Sequence, residues 1–298
     1  MPLTAFAEKS PFRSKQLEFT LKERYNRLMK RLIFTLIVLP IFFFAGCLTT
    51  TTNAGNVGAD RKQIMLVSEE EIEQSAVESY AQVLDEAQKQ GVLNKDAATV
   101  KRVQGIAKRL IEQTGTFRQD ALNWNWQINV ITSNTVNAWC MPGGKIVVYT
   151  GIIEKLQLTD GELAAVMGHE IAHALKEHSR ERASQSSLQN IGVIFTSAAL
   201  GLGKEGTELL GTAAQFTFGL PFSRKHETEA DHMGTELMAR AGYDPYEAVN
   251  IWKKMAAISS EQPPEIMSTH PSHETRIRDL QSTAKTVYPL YLASTKAL

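Results

Sequence analysis

The chain has 298 residues, 43% of them hydrophobic and 8% aromatic, which allows one large domain or two small ones around a real core. Its 32 basic and 32 acidic side chains balance, so nothing implies a nucleic-acid partner. The charge is unevenly placed: residues 1–46 hold eight Lys and Arg against three Asp and Glu, leaving 24 basic against 29 acidic for the remainder.

In chain order, the first feature is an export signal. Met29-Lys30-Arg31 makes a positive n-region and Leu32 to Ala45 an apolar h-region. The run stops at Phe44-Ala45-Gly46-Cys47, which resembles a bacterial lipobox with Phe44 where Leu is usual. That resemblance implies cleavage before Cys47, acylation of its thiol and amine, and attachment to a membrane through a lipid anchor; several acyl chains are what stable anchoring needs. Leu32 to Leu48 also has the length of a short uncleaved span, and residues 1–28 read as an upstream extension before a better start at Met29. The expected organisation is a signal peptide over 1–46, a lipidated cysteine and flexible tether over 47–66, and one domain over 67–298. With Cys47 lipidated, Cys140 is left as a small buried hydrophobe and no intramolecular disulfide is possible.

Thr49 to about Gln63, rich in Thr, Gly, Asn and Ala, reads as the tether. Ser68-Glu69-Glu70-Glu71 then caps a helix from Glu69 to Lys89, and a second runs from Ala97 to Gln113 with one apolar face. Trp126 to Ile131 and Lys145 to Thr150 read as neighbouring strands, with Gly143-Gly144 in a tight turn between them. An exposed edge of such a sheet would bind a substrate backbone by strand addition.

Thr159 and Glu162 form a capping box for a helix from about Asp160 to about Ser179, and this helix carries Gly168-His169-Glu170-Ile171-Ala172-His173. Histidines four apart stand about 40° from each other around the axis, so both imidazoles reach one ion. Zinc held by neutral ligands lowers the pKa of the water it binds, and a carboxylate alongside takes the proton. His169 and His173 are therefore assigned as ligands and Glu170 as general base. His178, about 180° round the same helix from His169, reads as an exposed histidine at the helix end. Leu188 to Leu202 and Glu208 to Leu220 follow as an apolar hairpin that covers the site, touches the bilayer, or is simply buried.

A catalytic zinc expects a third protein ligand. Ser223-Arg224-Lys225-His226-Glu227-Thr228-Glu229-Ala230-Asp231 supplies Glu227, with Asp231 one turn on to hydrogen-bond a ligand imidazole from outside. Together with Asn137 to Gly151 and Ser268-Thr269-His270-Pro271 to Arg276, these motifs resemble the gluzincin metalloprotease family of HtpX, BepA, LoiP and the CAAX-prenyl endoprotease. The resemblance covers most of the chain after Glu69. It implies zinc on His169, His173 and Glu227, catalysis by Glu170 and support from Asp231. Having no clear span beyond its front and no helical-repeat domain at its end, the chain looks most similar to LoiP-type periplasmic lipoprotein proteases. His270 is assigned one of two roles: a fourth ligand that holds the enzyme latent, or a donor to the tetrahedral intermediate.

The reading is an α+β, zincin-like domain, mainly helical with a small β-sheet beside the HExxH helix, binding one Zn²⁺ per chain. It implies an endopeptidase at the periplasmic face of a bacterial membrane, with the outer membrane favoured because Leu48 rather than Asp follows the cysteine. Its expected substrates are unfolded or misassembled envelope proteins. The competing reading is a zinc-containing lipoprotein chaperone, or a latent protease with little turnover.

Overall fold

A computed structural model describes the chain at residues 48–200, 203–205, 223–258, 264–270 and 275–296, together with Arg24. Apart from Arg24, the expected signal peptide lies outside these residues, as do Cys47, residues 208–220 and Pro271. Helix α1 spans Glu69–Lys89 and begins with the expected reciprocal cap: Glu71 N donates to the Ser68 hydroxyl at 3.2 Å, and Ser68 N donates to the Glu71 carboxylate at 3.1 Å. Helix α2 spans Ala97–Ile111 and buries Val103, Ile106, Ala107 and Leu110. It stops two residues before the expected Gln113, because the chain tightens into a 3₁₀ turn at Thr114–Thr116.

The larger sheet among the described residues has three strands, β1 (Gln127–Ile131), β2 (Ala138–Met141) and β3 (Lys145–Tyr149), ordered β1-β3-β2. The two expected strands are neighbours and run parallel, Gln127 opposite Lys145 and Ile131 opposite Tyr149. The short β2 was not foreseen; it returns antiparallel on β3, Ala138 opposite Val148 and Met141 opposite Lys145. Gly143 and Gly144 close that hairpin at φ +71° and +78°, where a side chain would be strained. Among the described residues β2 pairs with β3 alone, so its other edge carries no strand.

The helices that follow are α3 (Thr150–Lys155), α4 (Asp160–Leu175), α5 (His178–Leu200), α6 (Arg224–Arg240), α7 (Glu247–Ile258), α8 (Glu265–Thr269) and α9 (Arg276–Lys296). Among the described residues no helix is long and apolar enough to cross a membrane. Helix α4 is the axis of the domain, with every residue from Glu162 to Leu175 buried, packed on β2, α6 and α7. Its apolar residues circle the whole helix, which is what burial on all sides requires.

Helix α4 ends at Leu175, not near Ser179. Lys176 caps it and Glu177 turns the chain through φ +54°, so His178 opens a new helix instead of closing the old one. The Glu177 carboxylate is gripped by Arg118 and Arg180, each at 2.5 Å, which holds this left-handed residue in place.

The segment expected to be a flexible tether is folded onto the domain. The fully buried Lys176 ammonium donates to Thr52 Oγ1 at 3.0 Å, Ala59 O at 2.8 Å and Arg61 O at 2.9 Å. Gln63 Nε2 donates to Lys176 O at 2.8 Å and Asn56 N to the Glu236 carboxylate at 2.7 Å. Small polar residues suggest a linker because they lack apolar surface. Here the segment instead offers one hydroxyl and two backbone carbonyls to a buried cation that needs three acceptors.

Helices α4 and α6 touch backbone to backbone at two glycines. A Cβ on Gly234 would lie 2.6 Å from His169 N, and one on Gly168 2.9 Å from Gly234 O. That contact sets the distance between the two helices. Gly234→Ala is expected to cost about 1–3 kcal/mol by forcing them apart and to weaken metal binding with it. Denaturant unfolding and chelator competition measure the two effects, and an unchanged variant would show that the crossing has slack.

Candidate metal centre

Four side chains from three places converge at the α4–α6 crossing. His169 and His173 come from α4, Glu227 from the first turn of α6, and His270 from the residue that ends α8. All four are buried, and one donor atom from each lies within 4.8 Å of the others. His169 Nε2 is 3.1 Å from His173 Nε2 and 3.3 Å from His270 Nδ1. Glu227 Oε1 is 3.0 Å from His270 Nδ1 and 3.5 Å from His173 Nε2, and its Oε2 is 3.4 Å from His169 Nε2.

These spacings fit one cation. Donors at about 2.0–2.2 Å from a tetrahedral metal sit roughly 3.3–3.5 Å from one another. Three imidazoles and a carboxylate turned onto a common point match that figure, and the donor set suits a borderline, tetrahedral ion. Burial pushes the His173 imidazole well below its usual range, towards the neutral form that a metal ligand needs. Burial alone would raise Glu227, but His169, His173 and His270 hold its carboxyl far below the ordinary carboxylate range.

Behind His169 stands the expected Asp231, which is itself held by a residue given no role in advance. Asp231 Oδ1 lies 2.9 Å from His169 Nδ1, which turns Nε2 to the cluster. Burial would lower the His169 pKa, but Asp231 and Glu227 overcome it and raise it to about 9. Arg276 then holds both carboxylates: its guanidinium is 2.8 Å from each Asp231 oxygen and 2.9 Å from Glu227 Oε2, and it lies 3.3 Å over the Trp252 ring. Its place at the end of a shared motif was the only signal in the sequence, which does not show its proximity to Asp231.

Glu170 stands beside the four donors and outside their set. Its carboxylate is buried, with Oε1 lacking a hydrogen-bond partner among the described residues and lying 3.6 Å from His270 Nε2. Val166, Ile251, Trp252 and Met255 wall a pocket on its side. Burial pushes the Glu170 carboxyl up, against the pull of His270 and His169, the direction that brings a carboxylate closer to accepting a proton near neutrality.

His178 is not exposed. It is fully buried at the start of α5, with Nδ1 3.0 Å from His173 Nδ1 and Nε2 3.1 Å from Glu229 Oε2. The turn at Glu177 brings this about, since on a continuous helix His178 would face away from His169. Cys140 is buried as expected, with burial pushing its thiol pKa well up.

The profile of Peptidase family M48 matches residues 97–284, which include all four converging side chains. Among curated proteins, the chain is 33% identical over 225 residues to the mitochondrial metalloendopeptidase OMA1 of Schizosaccharomyces pombe, covering 75% of this chain and 64% of that one. It is 31% identical to the mitochondrial metalloendopeptidase OMA1 of Homo sapiens, covering 74% of this chain and 44% of the other. It is 26% identical to the beta-barrel assembly-enhancing protease of Escherichia coli O157:H7, covering 68% and 42%. The matches thus span less than two thirds of these relatives' own lengths. Mitochondrial and bacterial proteins both stand among them, so the LoiP-type subgroup is not singled out.

Proposed function

Because the chain belongs to peptidase family M48, we propose that it is a zinc-dependent endopeptidase whose metal is held by His169, His173 and Glu227, with Glu170 as general base. The observation that carries this reading is the convergence of four buried donors at tetrahedral spacing with a fifth, unligated carboxylate beside them. Zinc bound there would supply Lewis acidity and make water nucleophilic near neutral pH. The chain's own residues do the rest. Glu170 accepts the proton of the attacking water at its carboxylate and hands it to the leaving amide nitrogen. The edge of β2 that carries no strand among the described residues, on a strand packed against α4, receives the substrate backbone as an added strand.

The finer reading is a LoiP-type lipoprotein protease. It is anchored through Cys47 at the periplasmic face of a bacterial membrane, the outer one favoured, and degrades unfolded or misassembled envelope proteins. The charge split at residue 46 and the lipobox-like sequence support it. The test is cleavage of an unfolded protein such as casein by the full chain, with zinc quantified. About one zinc per chain and chelator-sensitive cleavage are expected, and zinc without cleavage would favour the chaperone reading.

One observation favours a latent resting state. His270 Nδ1 lies among the donors, 3.0 Å from Glu227 Oε1 and 3.3 Å from His169 Nε2, where a fourth ligand would exclude water. His270→Ala is expected to weaken zinc binding and to raise turnover. Slower cleavage with zinc affinity unchanged would instead make His270 a donor to the tetrahedral intermediate, and no change in either would remove it from the mechanism.

A further inference from the structure

Behind His173, away from the four donors, lies a buried polar chain that the reaction does not use. His173 Nδ1 meets His178 Nδ1 at 3.0 Å, and His178 Nε2 meets Glu229 Oε2 at 3.1 Å. Arg61, from the segment that packs around Lys176, donates to both oxygens of Glu229, through Nη2 at 2.8 Å and through Nε, and to both oxygens of Glu181 at 2.7 Å. Glu181 also accepts from Gln63 Nε2 at 2.7 Å and lies 3.2 Å from His226 Nε2, whose ring stacks on His178 at 4.5 Å.

His178, Glu181 and His226 have the composition of a second metal site. The Arg61 guanidinium already lies against both Glu181 oxygens, however, so the positive charge there belongs to the protein itself. Two imidazoles meeting nitrogen to nitrogen can share only one proton, and this settles the tautomers. For His173 to offer Nε2 to a metal as a neutral ring, its proton must sit on Nδ1 and be donated to His178. His178 is then a neutral acceptor at Nδ1 and carries its own proton on Nε2, where Glu229 accepts it. The Glu229 carboxylate is in turn oriented by the two-pronged grip of Arg61.

We propose that His178 is the positioning residue for the ligand His173, and that the chain His178–Glu229–Arg61 makes metal retention depend on the segment around Arg61 being docked. This rests on the zinc-peptidase reading above. It gives His173 the counterpart of what Asp231 gives His169, with an imidazole in the place usually taken by a carboxylate or carbonyl. Asp231 adds negative charge beside its ligand, whereas His178 fixes orientation without adding any.

The test compares zinc affinity of the full chain, by competition with a chromogenic chelator, with the absorption spectrum of the cobalt-loaded protein. His178→Leu is expected to weaken zinc about 10–100-fold and to alter the cobalt spectrum. His178→Asn, whose amide oxygen falls near the lost Nδ1, is expected to recover most of both. Arg61→Met, which touches none of the four donors, is expected to weaken zinc in the same direction by a smaller factor, and it carries the measurement if His178→Leu does not fold. A His178→Leu protein with lowered melting temperature but wild-type zinc affinity would overturn the proposal, as would Asn no better than Leu. Wild-type protein that binds no zinc would overturn the peptidase reading and this inference together; zinc bound equally by wild type and variants overturns this inference alone.

Discussion

Glu170→Gln is expected to lower cleavage of an unfolded protein by about 10²–10⁴-fold, the range that proton transfer contributes, while zinc stays bound at about one per chain. The substitution keeps the shape of the side chain and removes only its capacity to take a proton. Glu170 is buried and stands outside the four-donor set, so the substitution removes none of the four donor atoms. Burial already pushes its carboxyl up, so an uncharged amide at this position relieves a desolvation cost, and the variant should be at least as stable as wild type. A fold-change of that size corresponds to about 3–5 kcal/mol of transition-state stabilisation. Undiminished cleavage would exclude Glu170 as the base; loss of zinc would place it among the ligands.

Much of the centre was legible because it is written in local spacing. Histidines four apart on a capped helix, and a glutamate and aspartate four apart on another, need only helical geometry to be read. The capping boxes at Ser68 and Thr159 likewise placed two helix starts to the residue. Strand β2 was missed for the opposite reason: four residues, Ala138 to Met141, show too little alternation to declare themselves, and only the pairing with β3 makes them a strand.

His178 and the segment around Arg61 failed for a different physical reason. Each depends on one backbone event that composition does not reveal, the left-handed residue at Glu177. That turn reverses the face His178 presents and buries the Lys176 ammonium, which then collects the carbonyls of Ala59 and Arg61. A continuous helix to Ser179 and a free linker were consistent with each other, and both fail at this residue.

Arg276→Met is expected to destabilise the zinc-free protein by about 3–5 kcal/mol, the cost of leaving buried charge without its partner. Arg276 is fully buried, faces both oxygens of Asp231 and one of Glu227, and stacks on Trp252. Removing it leaves two buried carboxylates held only by imidazoles. Bound zinc would restore positive charge at Glu227 but not at Asp231, so the loss should shrink in zinc-loaded protein without vanishing. Binding to the folded state alone also adds stability as the metal saturates it. Arg276→Lys should recover only part, since a point charge cannot bridge two carboxylates or lie flat on an indole. Urea unfolding with and without chelator reads all of this. An equal loss in both states would mean that Arg276 serves packing rather than the charge of the metal centre, and a loss under about 1 kcal/mol would mean that the carboxylates are solvated as surface pairs are.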